Sequence, residues 1–263
     1  MPKPPHLLLP ILLAALAALP APPARAQISI EPDQVVAAID LATLLDSRQR
    51  QSRPPGQAWF ELLRGSQPVI VTAPHATRPF RAGRFRFADG GGTAALARAL
   101  HETCGATVLY TVWDSPADPN FDDDNEFKAR LGELIAELRP ILVLDIHASN
   151  AFRPYDIDLG TMHGQSVAGD PAIVPQLAAA LRGAGLVNVS DNRFPAARNR
   201  TITRYAHARG VPAVQLEFSV TRTSPQDGPL AGHLFAQALE GLARSLDGRG
   251  RCTHAAAASA AEP

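Results

Sequence analysis

Lysine is nearly missing from this chain: Lys3 and Lys128 are the only two, and every other fixed cation is arginine. Cysteine is almost as scarce, with Cys104 and Cys252 alone, which excludes a small disulfide scaffold. Neither charge sign prevails, with 25 basic against 25 acidic side chains. That balance excludes a strongly basic nucleic-acid surface. No apolar run reaches the roughly 20 residues that cross a bilayer. The longest, Leu7 to Leu19, is broken by Pro10 and stopped by Pro20. There is no internal repeat and no second composition regime. A nucleophile elbow, Gly-x-Ser-x-Gly, is also lacking. The nearest fragment, Gly164-Gln165-Ser166-Val167-Ala168-Gly169, has one residue too many, so a serine hydrolase is disfavoured.

Residues 1–26 carry the marks of an export signal. Lys3 starts it, Leu7 to Leu19 is the apolar stretch, and Ala24-Arg25-Ala26 is the cleavage site. Cleavage after Ala26 predicts a periplasmic or secreted protein without a stable membrane anchor. Loss of Lys3 and Arg25 leaves 23 basic against 25 acidic groups, a formal charge of −2. Residues 27–248 are long enough for one α/β domain with a full core. Residues 249–263 are Ala-rich and read as a disordered tail. In an oxidising compartment Cys104 and Cys252 could form a disulfide tying that tail to the body. A buried Cys104 with a free Cys252 is the other reading, and both stay open.

Within the domain, short apolar runs alternate with amphipathic helical stretches, which predicts a mixed, mostly parallel sheet with helices on both faces. Three of the runs end in residues able to bind or work beside a metal. Val69-Ile70-Val71-Thr72-Ala73 leads to His75, Ile141-Leu142-Val143-Leu144 to Asp145 and His147, and Ala213-Val214-Gln215-Leu216 to Glu217. In open α/β sheets, ligands collect at the carboxyl ends of strands.

A hydrolytic zinc site takes three ligands from His, Asp and Glu and keeps a fourth position open. His75 and His147 supply two imidazoles. Asp89, ahead of the Gly90-Gly91-Gly92 run, is the first choice for the third ligand. It could instead start the helix that follows, and Asp114, Asp118 and Asp122 to Asp124 are fallbacks. Asp145 lies two residues before His147, so both point to one face of the strand. There it either orients an imidazole or caps a loop. Glu217 is the candidate general base. Arg78, Arg81, Arg84, Arg86, Arg198 and Arg200 fall in two loops near these residues. Guanidinium forks suit carboxylates, so a small acidic or peptide-like substrate is expected, with Arg78 and Arg200 the foremost anchors. His163 could line the pocket, while His101, His207 and His233 read as helix residues. Oligomeric state is open.

The order Pro74-His75, Asp118-Pro119-Asn120, Asp145-Ile146-His147-Ala148-Ser149, Asp156 to Thr161 and Gln215-Leu216-Glu217 resembles the N-formylglutamate amidohydrolase family. The resemblance implies a zinc-carboxypeptidase-like (phosphorylase/hydrolase-like) α/β fold and hydrolysis of an amide on a small acidic amino acid. It makes His75 and His147 ligands to Zn2+ and Glu217 the base. Asn120, with Arg198, Arg200 or Thr201, would hold the substrate. Two departures bear on the substrate: Phe121 stands where the family often has arginine, and the loop Asn192 to Thr201 lacks an expected glycine. A third bears on the metal. In the zinc carboxypeptidase pattern a glutamate follows the first histidine by three positions, and here that residue is Arg78. A binding protein with a degraded site is therefore the alternative to an active amidohydrolase. Export also points away from cytoplasmic formylglutamate breakdown, toward an acylated amino acid, a peptide or a γ-glutamyl linkage.

Overall fold

Residues 28–247 and Cys252 are described by the computed structural model. Residues 1–27, with the stretch read as an export signal, and the remaining tail residues lie outside the described residues.

The apolar runs leading to His75, His147 and Glu217 form the strands expected of them, and further strands join these. β1 (Phe60–Leu63), β2 (Val69–Ala73), β5 (Thr107–Thr111), β6 (Leu142–Ser149), β7 (Ile157–Gly160), β8 (Val189–Asp191) and β9 (Ala213–Ser219) make one sheet in the order β1-β5-β2-β6-β9-β7-β8. β5, β2, β6 and β9 run parallel, whereas β1 and β7 join antiparallel. Every residue of β2 and β5 is buried, which is why these strands read as unbroken apolar runs rather than alternating ones. β3 (Phe80–Arg81) and β4 (Arg84–Phe85) form a separate two-stranded hairpin. That hairpin occupies the stretch expected to be an arginine-rich loop.

Six helices cover the sheet: α1 (Pro32–Arg48), α2 (Gly91–Cys104), α3 (Glu126–Leu138), α4 (Ile173–Gly183), α5 (Ile202–His207) and α6 (Pro229–Asp247). α1, α2, α4 and α6 pack on one another, and α3 packs on α5. Three helices carry local start signals: α1 has Pro32 first and Gln34 Oε1 accepting from Glu31 N, Asn125 caps α3 by accepting from Lys128 N, and Thr201 caps α5 by accepting from Arg204 N. α2 is different. Its N-cap, Gly90, has φ 100°, and the first amide, Gly91 N, donates to Asp46 Oδ1 of α1 at 2.8 Å. A Cβ on Gly92 would lie 1.6 Å from Thr223 O, so α2 docks against backbone at a distance only glycine permits. Asp46 thus does the helix-start work once open to Asp89.

Cys104, at the end of α2, is disulfide-bonded to Cys252, so the first of the two cysteine readings holds. No helix among the described residues is long and apolar enough to cross a membrane.

A candidate metal centre at the strand ends

β2, β6 and β9 are consecutive neighbours, and their carboxyl ends bring the candidate residues together. Thr72 pairs with Asp145 in register, and His147 with Glu217. His75 follows β2 directly. Asp89 returns from beyond the β3–β4 hairpin, held by a hydrogen bond from its own amide to His75 O at 2.7 Å.

Each imidazole turns Nδ1 toward Asp89. His147 Nδ1 is 2.7 Å from Asp89 Oδ2, and His75 Nδ1 is 3.7 Å from the same oxygen. One ligand atom from each of His75, Asp89 and His147 fits within 4.8 Å of the others, so this group can hold a metal ion. The opposite ring nitrogens face buried carboxylates. His75 Nε2 lies 2.7 Å from Asp118 Oδ1, and His147 Nε2 lies 3.1 Å from Asp145 Oδ2. Asp145 is in turn anchored by Thr72 Oγ1, which donates to its Oδ1 at 2.7 Å. A carboxylate behind each imidazole is the arrangement that orients metal-ligating histidines.

The donor set fits a divalent cation on charge as well as geometry. Asp89, Asp118, Asp145 and Glu217 cluster around two imidazoles, and Arg81 is the guanidinium paired with them, 3.4 Å from Asp118 Oδ2. Such an excess of buried negative charge needs compensation. Without an ion, part of it falls on His147. Burial alone would lower the pKa of His147, but Asp145 and Asp89 overcome it and hold the ring well above its ordinary value. Burial works against Asp118 too, yet hydrogen bonding and charge from His75, the Asn120 amide and Arg81 keep its carboxyl below the usual range.

Glu217 faces the same cavity. Burial pushes its carboxyl up to about 7, against the opposing pull of His147. Gln215 lies two residues earlier on the same face of β9, and its Nε2 donates to Glu217 Oε1 at 2.9 Å.

The cavity holds about 610 Å³, and its wall includes His75, Asp89, His147, Gln215 and Glu217. Its lining also includes residues 192–199 and Thr201, with His163 beside Asn192. Buried Asp158 shapes this part of the wall by accepting from Ser190 Oγ, Arg193 N and Phe194 N. Met162, His163, Asn192 and Ala196 all have positive φ there without being glycine. Asn192 Oδ1 helps to hold that backbone by accepting from Thr161 N and His163 N. Strained backbone of this kind concentrates at functional sites.

The expected substrate contacts divide. Arg198 lines the cavity. Arg78 does not: its guanidinium is claimed by Asp114, stacks on Phe85, and lines a separate depression. Arg200 also lies elsewhere, drawn outward to Asp123 with its side chain 65% exposed. Thr201 reaches the cavity wall, but its hydroxyl accepts from Arg204 N and donates to Ala196 O. Asn120 is likewise committed. Its Nδ2 donates to Asp145 Oδ2 and lies beside His147 Nε2, and its Oδ1 accepts from Ile202 N. Asn120 and Thr201 therefore build the wall more than they offer groups to a ligand. Sequence reasoning counted Arg81 among six candidate arginines but ranked Arg78 and Arg200 ahead of it, and it did not single out Gln215, Asn192 or Arg193. For Gln215 a signal existed, since period-two alternation puts it on the face of Glu217.

The family model for N-formylglutamate amidohydrolase matches residues 125–221. A gene product of Agrobacterium tumefaciens is similar in structure with a TM-score of 0.53 and 17% identity, covering 74% of this chain and 97% of that one. An N-formylglutamate amidohydrolase from Ralstonia eutropha gives 0.49 and 17%, covering 74% and 98%. A metallo-carboxypeptidase from Burkholderia cenocepacia gives 0.44 and 12%, covering 79% and 68%. No curated protein matches the chain. The resemblance read from the sequence stands: residues 125–221 match the N-formylglutamate amidohydrolase family model, and the described residues form the mixed, mostly parallel α/β sheet expected of the chain.

Proposed function

We propose that this chain is an exported, zinc-dependent amidohydrolase. Its substrate is an N-acyl amino acid, a peptide or a γ-glutamyl compound. The observation that carries the reading is the convergence of His75 Nδ1, His147 Nδ1 and Asp89 Oδ2 at one end of the sheet, with Glu217 in register beside His147. Zinc there would supply Lewis acidity and lower the pKa of a water molecule to about 7.

The chain's own residues do the rest. Asp118 and Asp145 hold the two imidazoles by their Nε2 atoms and so present Nδ1 to the cavity. Glu217 takes a proton from the attacking water and passes it to the leaving nitrogen. A carboxyl titrating near 7 suits both transfers, because it neither holds nor releases the proton too strongly. The Gln215 amide fixes one carboxylate oxygen and leaves the other for that proton.

Arg78, where the carboxypeptidase pattern has a ligating glutamate, favoured a degraded binding protein at first sight. Asp89 fills the carboxylate role from a different place in the chain, which supports an active centre instead. The Cys104–Cys252 bond supports export, since such bonds persist in oxidising compartments. Zinc-loaded protein should hydrolyse members of a panel of N-acyl amino acids and γ-glutamyl peptides, with free amine as the readout. Inactivity of the zinc-loaded protein across the whole panel would contradict the reading.

A further inference from the structure

Resting on the amidohydrolase reading, we infer that Arg81 is the specificity-determining residue of this cavity and anchors a carboxylate of the substrate. Three arginines line the cavity: Arg81, Arg193 and Arg198. Arg193 and Arg198 are exposed rim residues, and a solvated, mobile cation contributes little to binding. Arg81 is built in. It ends β3 and is the residue of the β3–β4 hairpin strands that lines the cavity, and only 25% of its side chain is exposed.

Two contacts fix the guanidinium. Nη1 faces Asp118 Oδ2 at 3.4 Å, and the group's flat face lies 4.9 Å from the centre of the Phe121 ring. Neither contact uses up its donors. A guanidinium has five N–H groups, and that of Arg81 donates no hydrogen bond within the normal range to any described residue. The partner oxygen, Asp118 Oδ2, is itself buried without a hydrogen bond. Arg81 is therefore a cation held in place, with donors unspent, in the wall that also carries His75 and Asp89. Such a fork recognises a planar anion with two acceptor oxygens. Arg78, three residues earlier, is excluded from this role because Asp114 occupies its fork.

The test uses protein with Glu217→Gln, so that ligands bind without turnover. Calorimetry compares N-acetyl-L-glutamate with its uncharged diamide on zinc-loaded protein, with Arg81 intact, Arg81→Ala and Arg81→Lys, and zinc content is measured for each. A charge-assisted pair gives about 10- to 100-fold preference for the anion. Arg81→Ala should abolish most of that preference with zinc content unchanged, and Arg81→Lys should keep part of it. Three results would overturn the assignment: no preference or no binding in the parent, a preference surviving in Arg81→Ala, or equal weakening of both ligands with loss of zinc. The last would mean that Arg81 acts only through Asp118 and His75. Because Glu217→Gln does not turn over, this result is independent of hydrolysis. A protein that prefers the anion through Arg81 yet fails the hydrolysis panel would sink the hydrolase reading and leave the anchor standing.

Discussion

At the scale of single residues, the site is a set of carboxylates given different tasks by their surroundings. Asp145 is buried, braced by Thr72, and turned to His147 Nε2. Asp145→Asn should weaken zinc affinity by about 10- to 100-fold, as loss of an orienting carboxylate does elsewhere, measurable by competition with a chelator. Glu217 has another environment, and its raised pKa gives two pH predictions. It acts as a base only when ionised, so kcat/KM should fall about tenfold per pH unit once the pH drops below its pKa. That acid limb should lie at or below about 7, since a nearby cation favours the carboxylate. Stability has the opposite sense. A carboxyl raised from 4.5 to about 7 on folding contributes fully below pH 4.5, and the contribution is lost as pH rises through 7. Metal-free Glu217→Gln should therefore melt above the metal-free parent at pH 8, with the difference shrinking at pH 5. An unchanged difference would mean that Glu217 is not buried as described.

At the scale of elements, three neighbouring parallel strands hold the site, while loops decide what can enter it. The long strands were legible because complete burial makes them continuous β-branched runs ending in a polar residue. β1, β3, β4 and β8 were not legible: β1 has four residues and none of them is fully buried. β3 and β4 have two residues each and β8 has three, too few to display a period. The β3–β4 hairpin matters most, since it turns an apparent arginine-rich loop into a frame that sends Arg81 inward and Arg78 outward. Local chemistry cannot predict that division, because the partners that cause it, Asp114 and Asp118, lie 36 and 37 residues away. The start of α2 was left open for the same reason: the carboxylate that meets its first amide, Asp46, comes from α1. Gly92→Ala tests this packing. A Cβ 1.6 Å from Thr223 O forces α2 away from its neighbour, at about 1–3 kcal/mol or more, visible as a lowered denaturant midpoint. The Thr201 cap of α5 is a milder case, and Thr201→Ala should cost about 1 kcal/mol.

At the scale of the whole molecule, a disulfide joins positions 148 residues apart and ties Cys252 to the end of α2. A loop of that size restrains the unfolded chain strongly, so Cys252→Ser should lower stability by about 2–5 kcal/mol. Thermal melts with and without reductant would check this, and an unchanged melt in the variant would argue against the bond. The composition left the pairing open because sequence alone provides no distance. By contrast, the grouping of His75, His147 and Glu217 was readable, since strand ends at one edge of an α/β sheet must meet in space. The central claim is that His75, Asp89 and His147 hold one zinc ion. Elemental analysis of metal-replete protein spanning residues 27–263, beside His147→Ala, tests it most directly. The account predicts about one zinc per chain, lost in the variant. Zinc absent from both proteins, or retained in full by the variant, would contradict it.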